Sequence, residues 1–245
     1  MLSRVTAFDN RRNLFIGKDT KEAIAFAVEH WIHSAKQAIQ QRGKFAVALS
    51  GGSTPKAIYQ ELIHTKEVDW SKVFLFWSDE RAVPPDHPES NYKMAMESFG
   101  KVSIPTNQIF RMKAEENIEQ NAKDYEEKIH HYLGNHLFDL VMLGLGEDGH
   151  TASLFPGTKA LHIEDRLVVP NYVEEKKTWR MTFTFPCINQ SAKIALYALG
   201  ASKKEILSKV LKAAVQSSYP SSHIGTAEHP ALWILDRAAA KKIAL

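Results

Sequence analysis

Five short apolar runs punctuate the chain: residues 44–49 (KFAVAL), 73–77 (VFLFW), 138–143 (FDLVML), 193–199 (KIALYAL) and 231–235 (ALWIL). Runs this short, nearly uninterrupted and followed by glycine, serine or charge, predict strands buried on both faces, as in a parallel sheet. Between them the spacing becomes helical. From Asp19 onward, Ile24, Ala27, Val28, Trp31, Ile32, Ala35 and Ile39 form one stripe, with Asp19 or Thr20 as N-cap and Gly43 as stop. Further helices are predicted after Pro55 (KAIYQELI), from Asn91 to Phe99, over residues 115–133 before Gly134, and from Lys203 to about Gln216. Residues 5–8 predict a short edge strand and 166–169 another strand. Residues 179–185 set Trp179, Met181, Phe183 and Phe185 against Arg180, Thr182 and Thr184, the alternation of a half-buried strand. Residues 101–114 and 217–230 read as irregular. Strands alternating with helices, with no repeat or low-complexity linker, predict one α/β domain over 1–245. Its expected core is a doubly wound, mostly parallel sheet with helices on both faces.

Composition narrows the function without naming one. A hydrophobic content of 44% with 24% charged residues is ordinary for a globular chain. The formal charge of +3 is carried by scattered residues, which argues against a nucleic-acid partner. No apolar run approaches eighteen residues, and the first twelve lack the apolar core of a signal peptide, so no membrane association and a cytoplasmic location are expected. Cys187 is the only cysteine, which rules out an internal disulfide and suits a reducing compartment; in FPCI it reads as a buried, inert thiol. His130, His131 and His136 lie close in sequence without acidic or cysteine partners at ligand spacing, and read as surface residues, not metal ligands.

The chemistry gathers at the ends of the predicted strands, where open α/β sheets bind ligands. After strand 138–143 come Gly144, Gly146 and Gly149, then His150, whose side-chain type suits proton transfer near neutrality. Gly144-x-Gly146-x-x-Gly149 copies the dinucleotide fingerprint. However, Phe155-Pro156-Gly157 interrupts the helix that the fingerprint requires, and no acidic residue clearly ends a following strand, so a nicotinamide site is set aside. Ser50-Gly51-Gly52-Ser53-Thr54-Pro55 joins a strand to a helix that Ser53 or Thr54 would cap. Bare amides at a helix N-terminus suit phosphate, although a plain capped turn explains the same letters. Ser78-Asp79-Glu80-Arg81 places a charged cluster at the same sheet edge, which is either part of a site or a solvated strand end. Lys203 or Lys204, one turn into a helix after Gly200, could reach an anion there or simply be solvated.

Together these pieces resemble one family. Ser50–Pro55, Asp79-Glu80-Arg81 with Ser90-Asn91-Tyr92, the long stretch from Gly144 to Pro156, and Gly200-x-x-Lys203 are similar in order and spacing to 6-phosphogluconolactonases, over essentially the whole chain. These form a subfamily of the glucosamine/galactosamine-6-phosphate isomerase superfamily. Related deaminases place a glutamate where this chain has Phe155 and a tyrosine where it has Arg81, which favours the lactonases over the deaminases. The resemblance implies the sugar-phosphate isomerase/deaminase fold and opening of 6-phosphoglucono-δ-lactone by water, with neither cofactor nor metal. It implies His150 as general base and a phosphate held by Ser50, Gly51, Gly52, Ser53, Thr54, Arg180 and Lys203. Arg81 would assist there or position the lactone, and Asp79 would orient either His150 or a sugar hydroxyl. Amides near Gly146 and Gly149 are candidates for stabilising the oxyanion. The expected partner is the small phosphorylated lactone, bound by a monomer or small homo-oligomer. A deaminase-like enzyme and a non-catalytic sugar-phosphate sensor stand as the alternatives.

Overall fold

A computed structural model describes residues 4–100, 102–134, 137–213 and 217–243. Seven strands make the main sheet: β1 (Thr6–Ala7), β2 (Arg12–Gly17), β3 (Phe45–Leu49), β4 (Val73–Trp77), β6 (Leu140–Gly144), β9 (Ile194–Ala198) and β10 (Ala231–Asp236). Their order is β1-β2-β10-β9-β6-β3-β4, parallel throughout except for β1 against β2. Helices cover both faces: α1 (Thr20–Arg42), α2 (Ser53–Leu62), α3 (Asn91–Phe99), α4 (Ile118–Leu133), α5 (Phe185–Asn189), α6 (Lys204–Lys212) and α7 (Arg237–Ala240). The mostly parallel α/β arrangement agrees with the periodicity, and every residue of β3 and β9 is buried, as two-sided burial requires.

Several details differ from the sequence reading. A second, antiparallel sheet of three strands, β5 (Asp79–Arg81), β8 (Thr178–Phe183) and β7 (Val168–Val173), stands beside the first. The charged run after β4 is therefore a strand rather than a solvated end. Along β8, Met181 and Phe183 are fully buried as the alternation requires, but Trp179 is 44% exposed and Thr182 is buried. Thr182 tolerates burial because its hydroxyl accepts from the Ser153 amide at 3.1 Å and donates to the Phe183 carbonyl at 3.0 Å. Phe185 begins α5. β2 had no expectation attached, since its first residues are Arg12 and Asn13. Arg12 is nevertheless buried, tied to Asp9 at 2.6 Å and to the carbonyls that end α6. The helix expected from 115 starts at Ile118, because Glu115 pairs with Arg111 at 2.7 Å instead. His130 and His131 are exposed on α4; His136 lies outside the described residues. So does Gln216, and α6 ends at Lys212.

The core joins the two sheets. Phe138 stacks on Phe183 of β8 at 5.0 Å and meets Phe76 of β4 edge-on at 5.2 Å. Ser78 continues the link, its amide donating to Leu49 at 2.8 Å while its carbonyl accepts from Phe183 at 2.9 Å. Fully burying each such ring contributes about 1.5–3 kcal/mol. An exposed pair such as Lys36–Glu67 contributes less than about 1 kcal/mol. The aromatic seam thus dominates in fixing the small sheet over the carboxyl ends of β3, β4 and β6.

Candidate active site

A cavity of about 560 Å³ opens at those carboxyl ends. Its wall contains Ser50, Gly51, Gly52, Ser53 and Thr54, with Asp79, Arg81, His150 and Lys203. Nine of the ten expected site residues therefore converge on one space. Arg180 does not line it, but sits opposite Arg81 in the β5–β8 register.

His150 is held by its own loop. Its ring nitrogen Nδ1 lies 2.5 Å from Asp148 Oδ1, and the same carboxylate oxygen accepts from the His150 amide at 3.0 Å. Burial pushes the Asp148 carboxyl up, but hydrogen bonds from the imidazole and amide, with the imidazole's charge, outweigh this and hold it below its ordinary value. An ionised Asp148 fixes the tautomer with the proton on Nδ1, leaving Nε2 as the basic nitrogen. Phe155 stacks on the imidazole at 4.0 Å and 23°, bracing the ring from one side. A Cβ on Gly146 would lie 2.0 Å from Nδ1, so glycine there leaves room for the ring. The next residues are also constrained: Ala152 adopts a left-handed φ of 48°, and Thr151 Oγ1 donates to the Gly144 carbonyl at 2.8 Å.

Of the two carboxylates, Asp148 and not Asp79 is the one hydrogen-bonded to His150, which leaves for Asp79 the other expected role, at a sugar hydroxyl. Asp79 accepts from Ser153 Oγ at 2.6 Å and from Asn91 Nδ2 at 3.3 Å, with no contact to His150. The spacing Asp148-x-His150 was the available signal, because a carboxylate two residues before an amide readily bonds to it. The expected oxyanion amides are also committed elsewhere. Gly146 N donates to the His150 carbonyl at 2.8 Å and Gly149 N to Gly146 at 3.1 Å, so closing the loop consumes both donors.

At the opposite wall, α2 starts without a side-chain cap. Gly52, with φ 101°, occupies the N-cap position, so neither Ser53 nor Thr54 caps the helix as expected. Their hydroxyls and the first amides of α2 face the cavity without a partner among the described residues, which suits an anion. Gly51 is required for space: a Cβ there would meet Asn91 Oδ1 at 2.0 Å. Asn91 in turn binds the Asp79 carbonyl at 3.0 Å. Lys203 Nζ lies at the cavity edge, 2.7 Å from the Leu145 carbonyl, whereas Lys204 pairs with Glu205 at 3.6 Å and does not line the wall.

Positive charge gathers here, with Asp79, Glu80 and Glu89 near enough to offset part of it. Arg81 and Arg180 face each other, and both Nε atoms are buried without a hydrogen-bond partner among the described residues. Burial, followed by the Arg81 charge, lowers the Arg180 pKa. Like charges directly opposite in an antiparallel pair destabilise it, and an anion bound between them would reverse the sign. Glu80 supports this corner from beneath, accepting from the amides of Arg81, Asn91 and Tyr92 at 2.8 Å each and from Ser90 Oγ at 2.9 Å.

Comparison with known proteins identifies this arrangement. Residues 18–233 match the model of the family described as glucosamine-6-phosphate isomerases/6-phosphogluconolactonase. The chain belongs to that family. Within the glucosamine-6-phosphate isomerase/6-phosphogluconolactonase family it is 44% identical to a 6-phosphogluconolactonase of Chlamydia pneumoniae, over 93% of this chain and 89% of that one. It is 36% identical to the 6-phosphogluconolactonase of a Nostoc species, covering 93% and 96% respectively. Among solved structures, 6-phosphogluconolactonase from Trypanosoma cruzi superposes with a TM-score of 0.85 at 28% identity, covering 98% of this chain and 99% of that one. A monomeric glucosamine-6-phosphate deaminase shares the fold, with a TM-score of 0.81 at 20% identity over 94% and 99% of the two chains.

Proposed function

We propose that this chain is a lactone hydrolase that opens 6-phospho-D-glucono-1,5-lactone to 6-phosphogluconate, the hydrolytic step of the oxidative pentose phosphate pathway. The observation that carries the reading is the Asp148–His150 pair, placed across one cavity from an anion-ready helix N-terminus. Its family supports the same substrate class.

The geometry suggests a simple sequence. The phosphate end binds among the Ser50–Thr54 loop, Lys203 and the Arg81–Arg180 pair, which directs the lactone ring towards His150. Nε2 takes a proton from water as the oxygen attacks the carbonyl carbon C1. The tetrahedral intermediate then collapses, the C1–ring oxygen bond breaks, and the proton passes from Nε2 to the departing oxygen. Asp148 holds the imidazole and stabilises its protonated form, while Asp79, anchored by Ser153 and Asn91, accepts from a sugar hydroxyl. Phe155 offers the imidazole stacking and no proton, which disfavours a deaminase cycle. Cys187 is buried, and burial pushes its thiol well above the ordinary value; that inert thiol suits a cytoplasmic enzyme.

The test is hydrolysis of freshly generated 6-phosphogluconolactone against the buffer rate, because the lactone also opens unaided. Wild type should accelerate it, and His150→Ala should reduce kcat by about 10²–10⁴-fold. Undiminished acceleration by the variant would remove His150 from the base role. No acceleration by wild type would refute the activity.

A further inference from the structure

Tyr197, the penultimate residue of β9, pairs in register with Gly144 and lines the active-site cavity beside the Ser50 loop and Lys203. It is 3% exposed, and its hydroxyl has no hydrogen-bond partner among the described residues. A second buried phenol, Tyr59, is committed elsewhere. Tyr59 OH accepts from Ser50 N at 3.0 Å and donates to Ser50 O at 2.9 Å, so its proton is already used. Other unpartnered buried groups, such as the indole nitrogens of Trp31, Trp77 and Trp233, belong to residues that do not line the cavity; among the described residues, Tyr197 and Arg81 are the two that do. Burial raises the Tyr197 pKa, so the phenol keeps its proton through the neutral range and can only gain by donating it.

A buried hydroxyl without a partner destabilises the fold relative to a bare ring of the same shape. A group that costs stability in the free protein and belongs to a residue lining the cavity can be satisfied by a ligand bound there. We propose that Tyr197 is a substrate-binding residue whose hydroxyl donates a hydrogen bond to the phosphate of the bound sugar phosphate, beside the N-terminus of α2 and Lys203. This assignment rests on the lactonase reading for the identity of the substrate, but not for the presence of an anion.

The test compares wild type with Tyr197→Phe, which keeps the ring. Four quantities are measured: Tm without ligand, affinity for inorganic phosphate by calorimetry, and kinetics with 6-phosphogluconolactone and with unphosphorylated glucono-1,5-lactone. The variant should melt at the same temperature or higher. Loss of a hydrogen bond to a charged group should weaken phosphate binding and raise KM for the phosphorylated lactone by about tenfold or more. Its kcat and its rate on the unphosphorylated lactone should match wild type. Unchanged phosphate affinity and KM would overturn the proposal, as would equal losses on both lactones, which would move the hydroxyl to the sugar end. Wild type that fails to hydrolyse the lactone, yet binds phosphate more tightly than the variant, would refute the activity and leave the Tyr197 assignment standing.

Discussion

The His150 ring is held by a carboxylate two residues away. Asp148 decides which ring nitrogen carries the proton, and the 2.5 Å contact leaves little freedom for the ring to turn. Asp148→Asn should therefore lower kcat by about 10²–10⁴-fold while KM changes little, the pattern of a misassigned tautomer. Steady-state kinetics would expose the error if KM rose instead. The pair also carries a pH signature of stability. A carboxyl whose folded pKa lies below its unfolded value stabilises the fold above the unfolded value, and that contribution is lost as pH falls through the folded one. The stability gap between wild type and Asp148→Asn should accordingly be full above about pH 5 and shrink as pH drops below about 4. Urea melts across that range would measure it, and a gap that persisted undiminished at the acid end would contradict the ion-pair account.

At the level of elements, two glycines clear space for neighbouring side chains. Gly146 makes room for the His150 ring, and Gly51 for Asn91, which anchors Asp79. A methyl on Gly146 would force the imidazole away from Asp148, since the Cβ would lie 2.0 Å from Nδ1. Gly146→Ala should hence reduce kcat by about tenfold or more, because misplacement of about 1 Å already costs that order of rate. Retained activity would mean that the loop relaxes around the methyl. The small antiparallel sheet has an equally specific purpose. It brings Arg180 opposite Arg81 and pins the His150 loop, through Ser153 bound to Thr182, Asp79 and Asn171.

For the molecule as a whole, substrate binding and folding should be coupled through that charge. Among the described residues, Arg81 and Tyr197 of the cavity wall, and Arg180 opposite Arg81, each bury a polar atom without a hydrogen-bond partner. A ligand that binds only the folded state at one hundred times its Kd adds about 2.7 kcal/mol of stability. For a chain of this size that is a rise of roughly 5–10 °C in Tm. Saturating 6-phosphogluconate should produce a shift of that order by calorimetry. In Arg180→Gln the ligand-free Tm should be unchanged or higher, because the repulsion from Arg81 is gone, and the ligand-induced shift smaller. An Arg180→Gln protein with a lower ligand-free Tm would show that the arginine is compensated by neighbouring acids such as Asp79 and Glu89.

Much of this was legible in the letters alone. Apolar runs gave the five buried strands from β3 to β10, Asp19 and Gly43 mark the two ends of α1, and His150 and the Ser50–Thr54 loop stood out by residue type and position. These features are local: burial on both faces leaves an uninterrupted apolar run, and a cap needs its own side chain or its own glycine. The second sheet was hidden because a strand such as Asp79-Glu80-Arg81 owes its burial to partners distant in sequence, and its residues resemble a solvated end. For the same reason the sequence named Arg81 and Arg180 but not their register. It placed a histidine in the crevice but not the turn at Gly149 that closes Asp148 onto it. Tyr197 was one letter in an apolar strand; only packing left its hydroxyl unpaired at the wall of the cavity.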